Sequence, residues 1–568
     1  MVLLPIFSGE EPWPFLSLDC LQLESDIKNL IKKLFNIEHG QMRKISILMV
    51  CFGFALLHGQ TSNVTIQNIS NYKGWGWDTT IVMQNDLITM ATVPAIGGRV
   101  MQYDLGSLPS MMVNSGLFGK TYTPVLNGYN NFGGYKTWPS PQSVWPGTWP
   151  PPPKLDYGKY AYQIVSQTAD SVVAIVTSPV ETWVAPNIQF KRRATIYPGT
   201  SRVRMEQTIM NNGSKDTSWG VWSIVQSIVN HPGKTDAQNY WAYFPINPNS
   251  GFGKSGVRPE KSSTAWKGEV APGIYGVQFV TDGTKIFADP DKGWIAYTSL
   301  SDTVVFARTF PIFNGMQYPD NGARVTVYVS GSSSPWYMEV EVKGPVVALA
   351  AAGGNYTFVE NWWAAKVRAP ILDVDSVGAI AKRLSYNSTT QSLTAIYGVF
   401  YQGTAKADFF NAQGQLLLEG LPHTVSPLIE FQLQDIVSIP DSAKTIEVRI
   451  YNTKDELMGV LEKKDISALL TGIKNGTSKL PTKFGLEQNY PNPFNPTTVL
   501  SYRLPVTSNV TLKVYDILGK EVATLVDETK SAGSYEVKFD ASNLSSGIYF
   551  YKLQSGRYTE TKKLVLMK

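Results

Sequence analysis

Cysteine is almost absent from this chain of 568 residues. Its two cysteines, Cys20 and Cys51, both lie near the amino end. The rest of the chain therefore offers no disulfide framework, no cysteine-ligated zinc and no catalytic cysteine. It also lacks a glycine-rich phosphate loop after a strand and the motifs His-Glu-x-x-His, Gly-x-Ser-x-Gly and the EF-hand loop. These absences exclude the NTPase, metalloprotease and serine hydrolase classes, and we expect neither a cofactor nor a bound metal.

Charge is also sparse. Charged residues make up 17% of the chain and the formal net charge is +5, without a Lys/Arg cluster interleaved with aromatic residues. Nucleic acid is therefore excluded as a partner. Glycine, proline and aromatic residues are plentiful, and we find no amphipathic helix longer than a few turns. This balance is typical of an extracellular all-β protein with many turns.

One apolar run stands out, at residues 45–57, directly after Met42-Arg43-Lys44. A short basic segment, an apolar stretch and small or polar residues describe a secretory signal peptide, and the run is short for a membrane span. We expect translation to start at Met42, residues 42–60 to be a signal peptide and residues 1–41 to be an upstream misreading. The mature protein then has no stable membrane span. The alternative is that Met1 is the start and the run is a membrane anchor.

Tryptophan marks the domain organisation. Of fifteen tryptophans, one is Trp13 and the other fourteen lie between Trp75 and Trp363. The sequence therefore predicts a large first domain, a different middle domain, a Gly/Ser/Pro-containing linker and a terminal domain. Their boundaries are 62–370, 371–470, 471–483 and 484–568.

Short β-type runs fill all three domains. In the large domain they include residues 87–93, 171–176, 202–209 and 324–329. About 300 residues of antiparallel sheet imply two large packed sheets. The middle domain, with runs at 393–401 and 445–451 and a turn at 411–414, is predicted to be an Ig-like β-sandwich. In the terminal domain apolar residues alternate with polar ones at 510–514 and 535–539, which predicts a small β-sandwich.

The carboxyl end, 484–568, resembles the C-terminal sorting domain of type IX secretion cargo, the Por-type secretion tail. The resemblance rests on Tyr-Pro-Asn-Pro-Phe-Asn-Pro at 490–496, Val-Tyr-Asp-Ile-Leu-Gly-Lys-Glu-Val at 514–522 and Leu-Ser-Ser-Gly-Ile-Tyr-Phe at 544–550, in the family's order. It implies export through the periplasm by the type IX machinery, which binds this domain, and display on the outer-membrane surface or release. The proline block is expected to cross or cap the sandwich as an extended segment.

A second resemblance covers residues 70–365. Gly97-Gly98-Arg99, the passage from Asn211 to Trp219-Gly220 and the Glu-bearing strand at 337–345 resemble galactose-mutarotase-like proteins. The block at 133–152, rich in Trp and Pro, resembles a largely uncharacterised branch of that superfamily. The resemblance implies a β-supersandwich whose concave face binds sugars.

Mutarotation needs one group that removes a proton and another that donates one. Glu339 and Glu341 are two residues apart on a strand and therefore share a face. We expect Glu341 to be the base and His231, the single histidine of the large domain, to be the candidate acid. The alternatives are that a glutamate is solvated and paired with Lys343, and that His231 is an ordinary loop residue.

Ligand binding is predicted from aromatic and hydrogen-bonding residues. Sugar rings stack on indole, while their hydroxyls need polar partners. Trp138, Trp145 and Trp149 lie within twelve residues and are expected on one loop, close to Lys136. The central strand carries Trp222 and Gln226 where the family has catalytic histidine. Arg99 is predicted to clamp hydroxyls or a carboxylate, or else to form a buried ion pair.

These inferences describe an exported or surface-displayed carbohydrate-binding protein. The alternatives are a carbohydrate-active enzyme on the same fold, either an aldose epimerase or a polysaccharide-cleaving enzyme, and a structural surface protein.

Overall fold

The computed structural model describes residues 64–229, 237–387, 390–440, 442–466, 484–505, 508–530, 533–556 and 558–568. Within these ranges the chain is built mainly of strands, with one α-helical turn, α1 (Pro153–Asp156), and a short turn, α2 (Pro319–Gly322), whose central residues Asp320 and Asn321 have positive φ. This confirms the all-β fold class. The predicted signal peptide, the segment before it and the predicted linker at 471–483 lie outside the described residues. Across the described part of the chain, no helix has the length and apolar character that a membrane crossing requires.

The large domain contains two extensive antiparallel sheets. Its strands are β1 (Thr65–Ile69), β2 (Thr80–Gln84), β3 (Ile88–Val93), β4 (Arg99–Leu105), β5 (Leu108–Pro109), β6 (Tyr135–Ser140), β7 (Ala161–Gln167), β8 (Val172–Thr177), β9 (Ile188–Ile196), β10 (Val203–Asn211), β11 (Thr217–Ile228), β12 (Tyr240–Pro245), β13 (Val257–Pro259), β14 (Trp266–Ala271), β15 (Ile274–Gln278), β16 (Thr284–Ala288), β17 (Trp294–Ser299), β18 (Val304–Thr309), β19 (Val325–Val329), β20 (Tyr337–Lys343), β21 (Val347–Leu349) and β22 (Asn355–Lys366).

The first sheet has twelve strands in the order β1-β2-β3-β4-β6-β11-β20-β19-β16-β13, with β5 beside β4 and β21 beside β11. The second has ten strands in the order β14-β15-β12-β17-β18-β22-β10-β9-β8-β7. Alternate apolar side chains of both sheets form one buried core, to which Val340, Tyr297 and Phe306 belong. The prediction of two large packed sheets is confirmed.

The sandwich core also encloses a charged pair. Arg308 of β18 and Glu360 of β22 are fully buried, with Arg308 Nη2 2.6 Å from Glu360 Oε2. Ser223 of β11 donates to Glu360 Oε1 at 2.6 Å, and Arg308 Nη1 donates to the main-chain oxygen of Val340 at 2.6 Å. The network joins the ten-stranded sheet to the central strands of the twelve-stranded sheet.

The middle region forms a smaller sandwich. Its strands are β23 (Asp373–Val374), β24 (Gly378–Asn387), β25 (Ser392–Val399), β26 (Gly403–Phe410), β27 (Leu416–Leu418), β28 (His423–Val425), β29 (Phe431–Ile436), β30 (Thr445–Asn452) and β31 (Leu457–Asp465). They make the sheets β23-β24-β25-β29 and β27-β26-β30-β31, with β28 on β26. Trp363 of β22 stacks on Phe400 at 5.0 Å, so one hydrophobic cluster continues from the large sandwich into this one.

The terminal region is a third sandwich. Its strands are β32 (Gly485–Leu486), β33 (Thr497–Leu504), β34 (Ser508–Tyr515), β35 (Glu521–Lys530), β36 (Gly533–Asp540), β37 (Gly547–Ser555) and β38 (Tyr558–Leu566), in the sheets β32-β33-β36 and β35-β34-β37-β38. The proline segment crosses this sandwich as expected. Phe494 is buried, receives a hydrogen bond at its carbonyl from Met567 and donates one to Val565, both at 3.0 Å.

Candidate functional site

The outer face of the twelve-stranded sheet is identified by β11. Ser223 points inward, because its hydroxyl contacts Glu360 of the opposite sheet. Side chains alternate along a strand, so Trp222 and Gln226 point away from the sandwich core. We call this side the outer face.

Strand register gathers the predicted site residues on that face. Trp222 lies between Trp138 of β6 and Lys343 of β20, and Gln226 lies opposite Glu339. The row between them contains Lys136, Ile224 and Glu341. Residues directly opposite on adjacent strands have neighbouring side chains. Three central strands therefore bring together residues that are up to about 200 positions apart in the sequence.

Glu339 is the centre of a polar cluster. Its Oε1 accepts hydrogen bonds from Lys136 Nζ at 3.1 Å and from Gln226 Nε2 at 2.9 Å. Its side chain is 12% exposed, whereas that of Lys136 is 2% exposed. Burial, followed by the Glu339 charge, raises the pKa of Tyr328 and of Tyr337, whose rings lie 6.0 Å apart. Glu339 thus sits beside two partly exposed phenols and is held by two fixed donors.

Glu341 lies deeper, with 1% exposure. Its Oε2 accepts a hydrogen bond from Trp222 Nε1 at 2.7 Å. Burial raises the pKa of Glu341 to about 7, the Lys343 charge opposes this shift, and the nearby Glu339 carboxylate adds to it. A carboxyl group with a pKa near neutrality is suited to both accepting and donating a proton.

The raised pKa predicts a pH-dependent stability difference between the wild type and Glu341→Gln. Between pH 4.5 and about 7 the unfolded chain releases the Glu341 proton while the folded chain retains it, so the wild type loses stability as pH rises. Glutamine has no such proton. We expect the unfolding free energy of Glu341→Gln, relative to wild type, to rise by about 3 kcal/mol across this range.

Denaturant unfolding of both proteins at pH 4.5, 6 and 8 measures this difference. The control is Glu206→Gln, because Glu206 lies on β10 and is partly exposed. A difference between wild type and Glu341→Gln that stays constant from pH 4.5 to 8 contradicts the assignment.

Four tryptophans form an aromatic cluster beside these glutamates. Trp138 packs edge-on against Trp222 at 5.3 Å, Trp145 at 5.8 Å and Trp149 at 6.0 Å between ring centroids. Trp149 is 49% exposed and lies 4.8 Å from the ring of Tyr129, while the other three are buried. Trp149 therefore carries the accessible indole of the cluster.

The expected loop placement is wrong for Trp138. It lies within β6, and the loop begins after Ser140. The prolines and glycines around the three tryptophans suggested a loop, and Pro139 in this block cannot donate to a ladder. However, β6 pairs with β11 along its length and with β4 only near Tyr135. The edge of β6 that faces away from β11 therefore has no strand partner at Pro139, and no N–H donor is needed there.

Arg99 supports the tryptophan cluster from behind. It is fully buried, and its Nη2 pairs with Asp156 Oδ1 at 2.6 Å while its Nη1 donates to the carbonyl of Gly133 at 2.9 Å. The same Asp156 oxygen accepts from Trp138 Nε1 at 2.8 Å. Of the two roles considered from the sequence, the structure shows the buried ion pair, and Arg99 positions Trp138 through Asp156. Direct contact of Arg99 with a ligand stays a prediction.

Sequence reasoning missed a basic group at the far side of the face. Arg258 of β13, Lys285 of β16 and Lys343 surround the ring of Phe287 at 4.2, 5.8 and 5.1 Å from its centroid. Lys343 also pairs with Asp320 of α2. The two-residue spacing of Lys285 and Phe287 indicated a shared face, but nothing local linked them to β20.

His231 falls in 230–236, outside the described residues, so its acid role stays a prediction. Among the residues that are described, no group of three His, Cys, Asp or Glu side chains is placed to hold a metal ion.

Comparison with solved structures finds similarities over about half of this chain. They include a protein from Synechocystis sp. PCC 6803 (11% identity, 50% of this chain, 96% of that chain, TM-score 0.36). They also include a galactose mutarotase related enzyme from Lactobacillus acidophilus (8% identity, 51% and 98% coverage, TM-score 0.35) and a galactose mutarotase-like protein from Clostridium acetobutylicum (8%, 54% and 99%, TM-score 0.35). No curated protein matches the sequence.

The carboxyl end gives a family match. Residues 488–567 match the family described as secretion system C-terminal sorting domain. This range contains β33 to β38 and the proline segment docked against them. The chain therefore carries a type IX sorting domain at its carboxyl end and is exported by that route to the cell surface or the extracellular space.

Proposed function

We propose that this exported protein binds a carbohydrate on the outer face of its twelve-stranded sheet. The observation that carries the proposal is the Glu339 cluster, whose Lys136 lies 4.5 Å from the ring of Trp138, which in turn packs against the exposed Trp149 at 6.0 Å. Sugars need flat aromatic surfaces for their C–H faces and fixed charged or amide groups for their hydroxyls. Lys136, Gln226 and Glu339 supply the second kind of group.

The energetics of burial support this assignment. Lys136 and Glu341 are almost fully buried, although desolvating charges costs several kcal/mol per ion. Apolar side chains fill equivalent positions on the inner side of the same strand, for example Val340 and Val342. A cluster of ion pairs on one face of such a strand contributes little to stability, and perturbed carboxylates of this kind concentrate at functional sites.

Replacement of Trp149 tests the proposal. Trp149→Ala is expected to weaken sugar binding by about 1–3 kcal/mol, the range for loss of an aromatic anchor. The fold should persist because half of the ring is already exposed. Isothermal titration of the full chain with oligosaccharides selected on a glycan array measures the effect.

The matched control is Trp266→Ala. Trp266 is a partly buried tryptophan on β14, an edge strand of the opposite sheet. Equal losses of affinity in both variants would contradict binding at Trp149.

A second candidate function is acid–base catalysis on a bound sugar, by an aldose epimerase or a polysaccharide-cleaving enzyme. The specific observation in favour is Glu341, whose pKa of about 7 and proximity to Glu339 provide a titrating carboxyl group at the site.

Glu341→Gln is expected to abolish turnover and to leave binding within a few-fold, because a base acts mainly in the transition state. Proton NMR of anomer exchange measures epimerase turnover. If the wild-type protein neither accelerates that exchange nor cleaves a bound polysaccharide, both enzyme candidates are contradicted. Carbohydrate binding is then the proposed function that stays.

A further inference from the structure

A row of three accessible side chains crosses the outer face. Lys285 of β16 lies opposite Tyr328 of β19, and Tyr328 lies opposite Glu339 of β20. All three are partly exposed, unlike the buried groups in the neighbouring row. Adjacent strands are about 4.8 Å apart, so Lys285 and Glu339 are separated by roughly 10 Å along the sheet. One sugar ring with its substituents fits this span.

Three cationic side chains gather at the Lys285 end of the row, because Arg258 and Lys285 adjoin Lys343 around Phe287. Among the described residues, Asp320 pairs with Lys343, and the buried Glu341 carboxyl, whose raised pKa is opposed by the Lys343 and Lys285 charges, is a second acidic group near them. A third, Glu260, follows β13 beside Lys285, where its N–H donates to the Lys285 carbonyl at 2.9 Å. Arg258 Nη2 donates to the main-chain oxygen of Asp320 at 3.2 Å.

Among the described residues, Arg258 and Lys285 keep donors without an acceptor. Arg258 Nε is buried and has no hydrogen-bond acceptor there. Within the described ranges, the Lys285 ammonium lies near the rings of Trp222 and Phe287 but makes no ion pair or hydrogen bond. Aromatic faces stabilise cations without neutralising them, and like charges brought together repel.

We infer that this row is a subsite for an acidic sugar. The sugar ring stacks on Tyr328, and Glu339 accepts hydrogen bonds from its hydroxyls. Lys285 and Arg258 bind an anionic substituent, either the carboxylate of a uronic acid or a sulfate ester. The inference rests on the proposed carbohydrate-binding function and names its ligand class. Charge-assisted hydrogen bonds are stronger than neutral ones, so the anionic group contributes both affinity and selectivity.

The test compares matched oligosaccharides on the full chain by calorimetry. One arm pairs oligogalacturonate with neutral oligogalactose of equal length, and the other pairs a sulfated galactan oligomer with its desulfated form. Wild-type protein is expected to bind at least one acidic sugar about ten-fold or more tightly than its neutral partner. The arm that shows the preference distinguishes carboxylate from sulfate. Added salt should reduce the preference.

Lys285→Gln is expected to lower affinity for the acidic sugar about ten-fold and to leave the neutral partner unaffected. The matched control, Lys267→Gln, changes an exposed lysine of β14 on the other sheet and should change neither. An unaltered thermal transition verifies the fold of both variants.

Two outcomes overturn the inference and remain distinguishable. Equal affinity for acidic and neutral sugars, or equal losses for both in Lys285→Gln, removes the anionic subsite and leaves carbohydrate binding standing. Absence of binding to all four oligosaccharides and to the glycan array removes the proposed function itself, and the subsite with it.

Discussion

A chain that ends at residue 480 is expected to remain in the periplasm, while the full chain reaches the surface or the medium. The reason is loss of the whole sorting domain, residues 488–567, which carries the information for passage across the outer membrane. Expression in a host with type IX secretion, followed by fractionation and quantitative immunoblotting, measures the difference. We expect loss of essentially all exported protein.

Two point variants compare a buried and an exposed residue of the proline segment. Phe494→Ala removes a buried ring and is expected to destabilise the terminal sandwich by about 3–5 kcal/mol. Tyr490→Ala changes a residue that is 83% exposed and should leave stability within about 0.5 kcal/mol. Export of the truncated chain at the level of the full chain would show that another segment carries the sorting signal.

The second large effect is expected from Glu360→Gln in the core of the large sandwich. Arg308 and Glu360 have no solvent exposure, and the change leaves the Arg308 charge buried without a countercharge. Breaking a buried ion pair in this way costs about 3–5 kcal/mol of unfolding free energy. Denaturant unfolding followed by tryptophan fluorescence measures it. Arg204→Ala, which disrupts a partly exposed pair with Glu206, is the control, with an expected cost of less than about 1 kcal/mol.

A double variant identifies the cause. Arg308→Met combined with Glu360→Leu removes both charges and fills similar volume, so it is expected to be much closer to wild type than Glu360→Gln is. A double variant as unstable as the single one would show that the lost hydrogen bonds to Ser223 and Val340 dominate, rather than the unpaired charge.

The parts of the fold and site that depend on local pattern were predictable. Period-2 alternation located β34 and β36, and the two-residue spacing of Glu339 and Glu341 correctly placed both on one face of β20. Turn chemistry at 411–414 is likewise confirmed by the Gly414 to Asn411 hydrogen bond. In each case neighbouring residues determine the outcome, because a strand's side-chain period is fixed.

Other features depend on which distant strands pair, and the sequence does not contain that information in readable form. Asp156 reaches Arg99 and Trp138 from α1, and Arg258 reaches Phe287 across the pairing of β13 with β16. Pro139 misled the prediction for Trp138 because an unpaired edge of β6 tolerates it. The register of non-local strands, rather than local propensity, decides these contacts.

The docking of Phe494 between Val565 and Met567 has a consequence for quality control in the cell. About seventy residues separate the proline segment from the strand that receives it, and neither of the two hydrogen bonds exists until that strand has been synthesised. A ribosome that stalls before Val565, or a protease that trims the chain there, leaves the segment without its dock. Export of the protein therefore implies that translation has passed the two upstream sandwiches and reached this strand.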